Sequence, residues 1–123
     1  MNKRILLIDD EPDFTELAGT LLSFHDFTVD TFNDAAKIDE IVAKNRYDLI
    51  VTDLMMPDVD GFQLITKVRA LPQYATTSII VLSAKTLSDE ERKFLLQQKV
   101  NFLPKPFEPQ ELVEKITQLL SGS

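Results

Sequence analysis

Short apolar runs alternate with segments of helical periodicity along the whole chain. Three of the runs are almost entirely aliphatic, at residues 5–8, 49–51 and 79–82. Continuous apolar character is typical of strands that are buried on both faces of a parallel sheet. Residues 27–32 and 101–103 predict two further strands, of which the first contains polar positions and is therefore expected to be more exposed.

Each apolar run is followed by a stretch in which apolar residues recur every three or four positions, as on one face of a helix. Pro12 and Pro109 suit the first turn of a helix. Asn33 is a plausible N-cap, and Ser88 with Glu91 makes a capping box. The predicted helices cover residues 12–23, 33–44, from the turn at 57–61 to about 69, 88–97, and 109–120.

The predicted order is a strand followed by a helix, repeated five times. Alternation of this kind predicts a parallel sheet with helices packed on both faces. The expected fold class is therefore α/β, as a single three-layer, doubly wound (βα)5 domain over residues 1–123. Residues 121–123 are expected to form a tail or a linker stub.

Composition narrows the class of protein further. The chain contains no cysteine, which excludes disulfides, thiolate metal sites and cysteine nucleophiles. The formal net charge is -7, whereas proteins that bind nucleic acid or anionic membranes need basic surface. No apolar run approaches the roughly 20 residues of a membrane span, and acidic residues follow the N-terminus too early for a signal peptide. We therefore expect a cytoplasmic protein that binds neither nucleic acid nor membrane.

Polar and charged residues follow the predicted strands. In open α/β sheets, ligands bind beyond the carboxyl ends of the strands, so side chains placed there are expected to lie close together. These residues are Asp9 and Asp10 after the first strand, Asp53 after the third, Ser83, Ala84 and Lys85 after the fourth, and Lys105 after the last. Glu11 is assigned only to the start of the first helix, where an acid suits the helix dipole.

These residue types favour phosphate chemistry. Three aspartates in a small cleft repel one another, so at least one pKa is expected to rise, and a hard divalent cation such as Mg²⁺ relieves the repulsion. Lys105 supplies a mobile positive charge, while the hydroxyl of Ser83 and the amide of Ala84 supply hydrogen-bond donors. Such a set around a carboxylate indicates a site for phosphoryl transfer to an aspartate.

In four segments the chain resembles the receiver domain of two-component response regulators, and the resemblance covers essentially the whole chain. The segments are DDE at 9–11, DLMMPDVDG at 53–61, SAK at 83–85 and KPF at 105–107. The resemblance implies that residues 1–123 form one receiver domain with a flavodoxin-like fold and strand order 2-1-3-4-5. It also implies a cis peptide bond before Pro106.

The resemblance implies roles around a phosphoacceptor, which would be Asp53. Mg²⁺ or Mn²⁺ would bind to Asp9, Asp10 and Asp53, and the backbone oxygen of Met55 would be a further ligand. The side chains of Met55 and Lys85 would lie beside the path of a hydrolytic water and would tune the lifetime of the phosphoryl group.

Further residues would bind the phosphoryl oxygens or respond to them. Lys105, the hydroxyl of Ser83 and the backbone N–H of Ala84 would be the donors. Ser83 and Phe102 would be switch residues, although Phe102 has no hydroxyl and would act by packing; a core aromatic that never moves is the alternative for it. Residues 97–100 lack the glycine that relatives often have, so a less sharply capped fourth helix is expected.

The resemblance implies a signalling protein rather than an enzyme that turns over a substrate. A bacterial-type sensor histidine kinase or a histidine phosphotransfer protein would be the phosphodonor, and the domain would catalyse only its own phosphorylation and dephosphorylation. The surface of the fourth helix, last strand and fifth helix would then change, for an effector to bind or for a homodimer to form.

Three other functions remain open at this point. A phosphohydrolase of the haloacid dehalogenase type would form the same aspartyl intermediate, but its second acid would stand where this chain has Met55. A flavodoxin-like nucleotide binder needs a phosphate loop after the first strand, where this chain has acids. A receiver-shaped binding module that is never phosphorylated is the third.

Overall fold

A computed structural model describes residues 3–56 and 59–121 of the chain. Five strands form the main sheet: β1 Arg4–Ile8, β2 Thr28–Phe32, β3 Leu49–Asp53, β4 Ser78–Ser83 and β5 Val100–Pro104. The five α-helices are α1 Pro12–Phe24, α2 Ile38–Lys44, α3 Gly61–Arg69, α4 Asp89–Gln97 and α5 Pro109–Ser121. A short 3₁₀ helix, Pro72–Tyr74, precedes β4, and the two-residue strands Met55–Met56 and Val59–Asp60 pair antiparallel before α3. The predicted (βα)5 order is confirmed.

The main sheet is parallel throughout and has the strand order β2-β1-β3-β4-β5, as predicted. The carboxyl ends of its strands lie at one edge. Ladder hydrogen bonds continue just past those ends: the N–H of Asp9 donates to the oxygen of Phe32 at 3.1 Å, and that of Lys105 to the oxygen of Ser83 at 2.8 Å. The backbone at this edge is therefore fixed by the sheet itself.

The hydrophobic core lies on both faces of the sheet. One cluster packs between the sheet and the helices α2, α3 and α4, and it includes Leu6 and Ile50. The other packs between the sheet and the helices α1 and α5, and it includes Leu7 and Val51. Adjacent residues of a strand point to opposite faces, so the central strands are apolar at almost every position.

The second helix starts later than the sequence predicts. α2 begins at Ile38, and Asn33 is not its N-cap. The side-chain amide of Asn33 instead donates to the backbone oxygen of Asp9 at 2.9 Å and to Oγ1 of Thr15 at 3.0 Å. The prediction of a helix over 33–44 was wrong because Asn33 bonds to residues distant in sequence rather than to the next turn.

The fourth helix begins as predicted and ends more sharply than predicted. Ser88 and Glu91 form the capping box at its start. At its end Lys99 adopts a φ of 57°, and its N–H donates to the oxygen of Leu96 at 3.1 Å. A non-glycine residue takes the left-handed conformation there, at a cost of roughly 1 kcal/mol. The expectation of a loosely capped helix end was therefore wrong.

Arg69, at the end of α3, stabilises this region with hydrogen bonds to four backbone oxygens. Its guanidinium donates to the oxygens of Gln98 at 2.9 Å and Lys99 at 3.3 Å, which follow α4. It also donates to the oxygens of Tyr74 at 2.7 Å and Thr77 at 2.6 Å, which precede β4. A single side chain thus joins the ends of α3 and α4 to the entry of β4.

Two expectations concern residues at or beyond the limits of the described chain: the tail at 121–123 and the turn at 57–61. Ser121 is the last residue of α5, so the predicted tail begins no earlier than residue 122, and Gly122 and Ser123 lie outside the described residues. Pro57 and Asp58 of the predicted turn also lie outside them.

Among residues 3–56 and 59–121, no helix has the length and apolar character that crossing a membrane requires.

Candidate functional site

Three carboxylates lie together at the carboxyl edge of the sheet. Asp9 and Asp10 follow β1, and Asp53 is the last residue of β3. One carboxylate oxygen from each lies within 4.8 Å of the others. Asp9 and Asp53 are buried, whereas Asp10 is exposed. The structure thus brings together the acidic residues that the sequence analysis selected.

Backbone N–H groups orient the two buried carboxylates. Oδ1 of Asp9 accepts from the N–H of Glu11 at 2.9 Å, and Oδ1 of Asp53 accepts from the N–H of Met55 at 3.0 Å. In both turns the aspartate accepts from the residue two positions later, which is common for aspartates at turns. Because Oδ1 is held in this way, Oδ2 of each residue faces the common site.

The ammonium of Lys105 contacts both buried aspartates of the site and the exposed Glu11. Its Nζ lies 2.9 Å from Oδ2 of Asp53, 3.2 Å from Oδ2 of Asp9 and 3.4 Å from Oε1 of Glu11. Lys105 follows β5, and the peptide bond between Lys105 and Pro106 is cis, as expected. Sequence reasoning missed the contact with Glu11, which was assigned only to the start of α1.

Burial and charge shift the pKa values of two of these groups. Burial raises the pKa of Asp9 above its usual range; the N–H of Glu11 and the charge of Lys105 oppose this shift without cancelling it, and the charge of Asp53 adds to it. Burial alone would lower the pKa of Lys105, but its hydrogen bond with Asp53 and the charges of Asp9 and Asp53 raise it above its usual range. Lys105 therefore stays charged at neutral pH, whereas burial is the main cause of the raised pKa of Asp9.

The last residue of β4, Ser83, and the two residues that follow it form another side of the site. Ser83 is buried, and its Oγ accepts from the N–H of Lys85 at 2.9 Å. Ala84 and Lys85 are exposed. An open pocket of about 490 Å³ lies between these elements, and it is lined by Asp10, Glu11, Asp53, Met55, Ala84, Lys85 and Lys105.

The close contact between the start of α3 and Leu54 explains why residue 61 is a glycine. The side chain of Asp60 caps α3 by accepting from the N–H of Phe62 at 2.8 Å. A Cβ built on Gly61 would lie 2.6 Å from the oxygen of Leu54 and 2.8 Å from its Cα. Only glycine allows this approach, which places the start of α3 beside the residue that follows Asp53.

Phe102 lies outside this pocket. It is half-buried on β5, pairs with Val81 in the sheet register, and packs against the core cluster on the α4 side. It borders a separate groove of about 370 Å³ together with Leu87, Arg92, Leu95, Leu96 and Val100. His25 is exposed at the C-cap of α1, far in the fold from the acidic cluster.

The donor set fits a hard divalent cation. Asp9, Asp10 and Asp53 offer carboxylate oxygens, which Mg²⁺ and Mn²⁺ prefer, and the exposure of Asp10 leaves room for water ligands. Burial raises the pKa of Asp9, and the charge of Asp53 raises it further, so a cation bound beside Asp9 would favour its ionised form. The residues present are therefore compatible with a metal site at this edge.

Comparison with known proteins gives consistent matches. A model described as the response regulator receiver domain matches residues 5–117. Regulatory protein VanRc of Enterococcus gallinarum is 32% identical over 120 residues, which are 97% of this chain and 51% of that protein. Response regulator MprA of Mycobacterium leprae (strain TN) is 35% identical over 117 residues, which are 95% of this chain and 50% of that protein. This chain spans about half the length of these two relatives.

A solved structure agrees with the sequence matches. Chemotaxis response regulator CheY4 of Vibrio cholerae has a TM-score of 0.85 and 27% sequence identity, over 96% of this chain and 98% of that chain. The flavodoxin-like order of the sheet, the acidic edge and the match over residues 5–117 lead to the same family. The chain belongs to the response regulator receiver domains, the phosphoacceptor domains of two-component signalling.

Proposed function

We propose that Asp53 is the residue that receives the phosphoryl group. Of the three clustered aspartates, Asp53 is the one that is both buried and in the lining of the pocket. Its Oδ1 is held by the N–H of Met55 and its Oδ2 by Lys105, so the carboxylate has a fixed orientation. This fixed, pocket-facing carboxylate is the observation that carries the proposal.

The proposed reaction is an in-line displacement at phosphorus. A carboxylate oxygen of Asp53 attacks the phosphorus of a phosphohistidine, and the P–N bond breaks with its electron pair returning to the imidazole. Lys105 transfers its hydrogen bond from the carboxylate to a phosphoryl oxygen, where it offsets the developing charge. The hydroxyl of Ser83 and the N–H of Ala84 donate to the remaining phosphoryl oxygens.

The metal site would be formed by residues of the same edge. Asp9, Asp10 and Asp53, with the backbone oxygen of Met55, would hold Mg²⁺ or Mn²⁺. When bound, the ion supplies positive charge that offsets the repulsion between the carboxylates and the incoming phosphoryl group. Asp9 is suited to this role because it is buried and its carboxylate is oriented by the N–H of Glu11.

The proposed conformational response to phosphorylation starts at Ser83 and changes a surface distant from the pocket. Movement of its hydroxyl toward the phosphoryl group would allow Phe102 to turn inward and would alter the face formed by α4, β5 and α5. An effector would bind to this face, or a second copy of the chain would form a homodimer through it. Support comes from the groove beside Phe102 and from Leu96, which is exposed there.

The proposed phosphodonor is a sensor histidine kinase or a histidine phosphotransfer protein. The domain would also hydrolyse its own aspartyl phosphate, so that the signal decays without a further enzyme. Met55 and Lys85 would tune the rate of this hydrolysis, and their exposure in the lining of the pocket supports this role.

The test of the phosphoacceptor uses acetyl phosphate and Mg²⁺. Intact-mass measurement should detect one added phosphoryl group on the wild-type protein and none on Asp53→Asn. Asp13→Asn, an exposed acid at the start of α1, is the matched control and should be modified like the wild type. An adduct of equal yield on Asp53→Asn would show that another residue is the acceptor.

A further inference from the structure

Lys85 lines the pocket of Asp53, but its charged end is bound elsewhere. Its ammonium forms an ion pair with Oε2 of Glu91, in the first turn of α4. The same ammonium lies 5.9 Å from the ring centroid of Phe62, on α3, within the range of a cation–π contact. The Lys85 side chain is therefore directed toward the two helices and away from the acids of the pocket.

Glu91 is itself held in place by the capping box. Its Oε1 accepts from the N–H of Ser88 at 2.9 Å, and its own N–H donates to Oγ of Ser88 at 3.1 Å. Each carboxylate oxygen of Glu91 thus has one donor, since Oε2 is bound by Lys85. The Glu91 side chain is 22% exposed and that of Lys85 is 39% exposed, so water screens the pair only in part.

The backbone of Lys85 is fixed as well. Its N–H donates to Oγ of Ser83 at 2.9 Å, directly after β4. With both its backbone and its ammonium held, Lys85 has one preferred direction. The acids that line the same cavity as Lys85 are Asp10, Glu11 and Asp53, and they would be available to its ammonium if the contact with Glu91 were lost.

We propose, on the assumption that Asp53 is the phosphoacceptor, that Glu91 is a positioning residue that keeps the Lys85 ammonium out of the phosphoacceptor pocket. Two properties of the pocket follow. The acidic cluster stays available to a divalent cation, because a second ammonium does not compete for its carboxylates. The phosphoryl group also stays open to water on the Lys85 side.

The position of Lys85 would affect the hydrolysis of the aspartyl phosphate. Water attacks phosphorus, the bond from phosphorus to the Asp53 oxygen breaks, and the products are the carboxylate, inorganic phosphate and a proton. A released Lys85 would form a charge-assisted hydrogen bond with the phosphoryl oxygens and would occupy part of the approach of water. Hydrolysis would then be slower, and the acyl phosphate would persist longer.

The key variant is Glu91→Gln. The amide oxygen of glutamine still accepts from the N–H of Ser88, so the capping box is retained while the charge that binds Lys85 is removed. Lys85→Met removes the ammonium and keeps the length of the side chain. Glu90→Gln, an exposed acid in the same helical turn, is the matched control for loss of a nearby negative charge.

Two measurements are made on the wild type, the three single variants and the double variant Lys85→Met/Glu91→Gln. Calorimetric titration gives the Mg²⁺ affinity of the unphosphorylated protein, and intact mass at intervals after removal of acetyl phosphate gives the rate of phosphoryl loss. We expect Glu91→Gln to weaken Mg²⁺ binding and to slow phosphoryl loss by about three- to tenfold each. This is the size of effect expected when one ammonium group, that of Lys85, enters the pocket and is partly screened by water. In the Lys85→Met background the same substitution should change neither quantity, and Glu90→Gln should match the wild type.

Two results would count against the proposal, and a third would count against the assignment of the phosphoacceptor. Glu91→Gln with wild-type Mg²⁺ affinity and wild-type phosphoryl loss would show that Lys85 does not depend on Glu91. Effects of equal size in the Lys85→Met background would show that Glu91 acts by its own charge. If the wild type forms no adduct, the phosphoacceptor proposal fails, and the Mg²⁺ titrations alone decide whether Glu91 positions Lys85.

Discussion

Nζ of Lys105 lies 2.9 Å from Oδ2 of Asp53, although the two residues are 52 positions apart in the chain. The Asp53 side chain is 6% exposed and that of Lys105 is 20% exposed, so water has little access to the pair. The same ammonium also contacts Asp9. One cation therefore compensates two buried carboxylates from different strands, which links the stability of the fold to the chemistry of the site.

Replacing Lys105 should destabilise the protein when no divalent cation is present. Lys105→Met leaves Asp9 and Asp53 buried without their counter-ion, and we expect the free energy of unfolding to fall by about 2 kcal/mol. Urea denaturation in the presence of a chelator measures this. Lys67→Met is the control, because its pair with Asp39 is 3.9 Å long with side chains 63% and 74% exposed, and about 0.5 kcal/mol or less is expected. Equal losses in the two variants would mean that the buried pair adds nothing to stability.

Mg²⁺ should stabilise the wild type against heat, and Asp10→Asn should remove that effect. A ligand that binds only the folded protein at about 100 times its Kd contributes about 2.7 kcal/mol. Asp10 is exposed, so its substitution should change the Tm without Mg²⁺ very little. Thermal melts with and without Mg²⁺ test this, with Glu16→Gln on the exposed face of α1 as the control. The same Mg²⁺-dependent shift in Asp10→Asn and the wild type would place the metal elsewhere.

Alanine at the two helical glycines should act in opposite directions. Gly61→Ala places a Cβ against the backbone of Leu54, so we expect a loss of about 2 kcal/mol or more. Gly19→Ala lies inside α1, and its Cβ would meet only Cγ2 of Thr31 at 3.4 Å, so a gain of about 0.5–1 kcal/mol is expected. Urea denaturation compares the two. Tolerance of Gly61→Ala would mean that α3 does not need this close approach.

The stability of the protein should fall in alkali, in part because of Tyr74. Its ring is fully buried, and the single hydrogen of its hydroxyl is shared between the oxygens of Val42 at 2.9 Å and Asn45 at 2.6 Å. Burial raises the pKa of Tyr74 above its ordinary value of about 10. Below pH 10 the hydroxyl is protonated in both the folded and the unfolded chain, so stability does not depend on it. Above pH 10 only the unfolded chain ionises, which lowers the free energy of unfolding as pH rises toward the folded pKa.

Tyr74→Phe isolates this contribution. At neutral pH the variant should lose about 1–2 kcal/mol because two backbone oxygens lose their donor. Between pH 10 and 11 its free energy of unfolding should decline less steeply than that of the wild type. Parallel curves for the two proteins would show that Tyr74 ionises equally in both states.

The fold could be predicted because its determinants are local and periodic. The aliphatic runs that became β1, β3 and β4, and the capping box at Ser88, are visible within a few residues of sequence. The start of α2 could not be predicted in this way. Asn33 has the side chain of an N-cap, but it bonds to the oxygen of Asp9, 24 positions earlier, and no local pattern contains that contact.

The site was predictable to the same extent. The positions of Asp9, Asp53 and Lys105 follow from strand ends that meet at one edge, together with the resemblance that assigns their roles. Glu11 and Glu91 were missed as partners of the two lysines, because both also satisfy a simple local role at a helix start. Acids at helix starts that contact a lysine at the end of a strand are therefore worth testing as site residues.

The contacts of Arg69 determine how α4 can move. Hydrogen bonds to the oxygens of Gln98 and Lys99 hold the trailing end of α4 to α3 and to the entry of β4, whereas its leading end carries Glu91 and meets the pocket through Lys85. If α4 moves while the hydrogen bonds of Arg69 are kept, it must rotate about the end that Arg69 holds. A small shift at Lys85 would then displace Ser88 the most, because Ser88 lies ten positions before Gln98 at the fixed end.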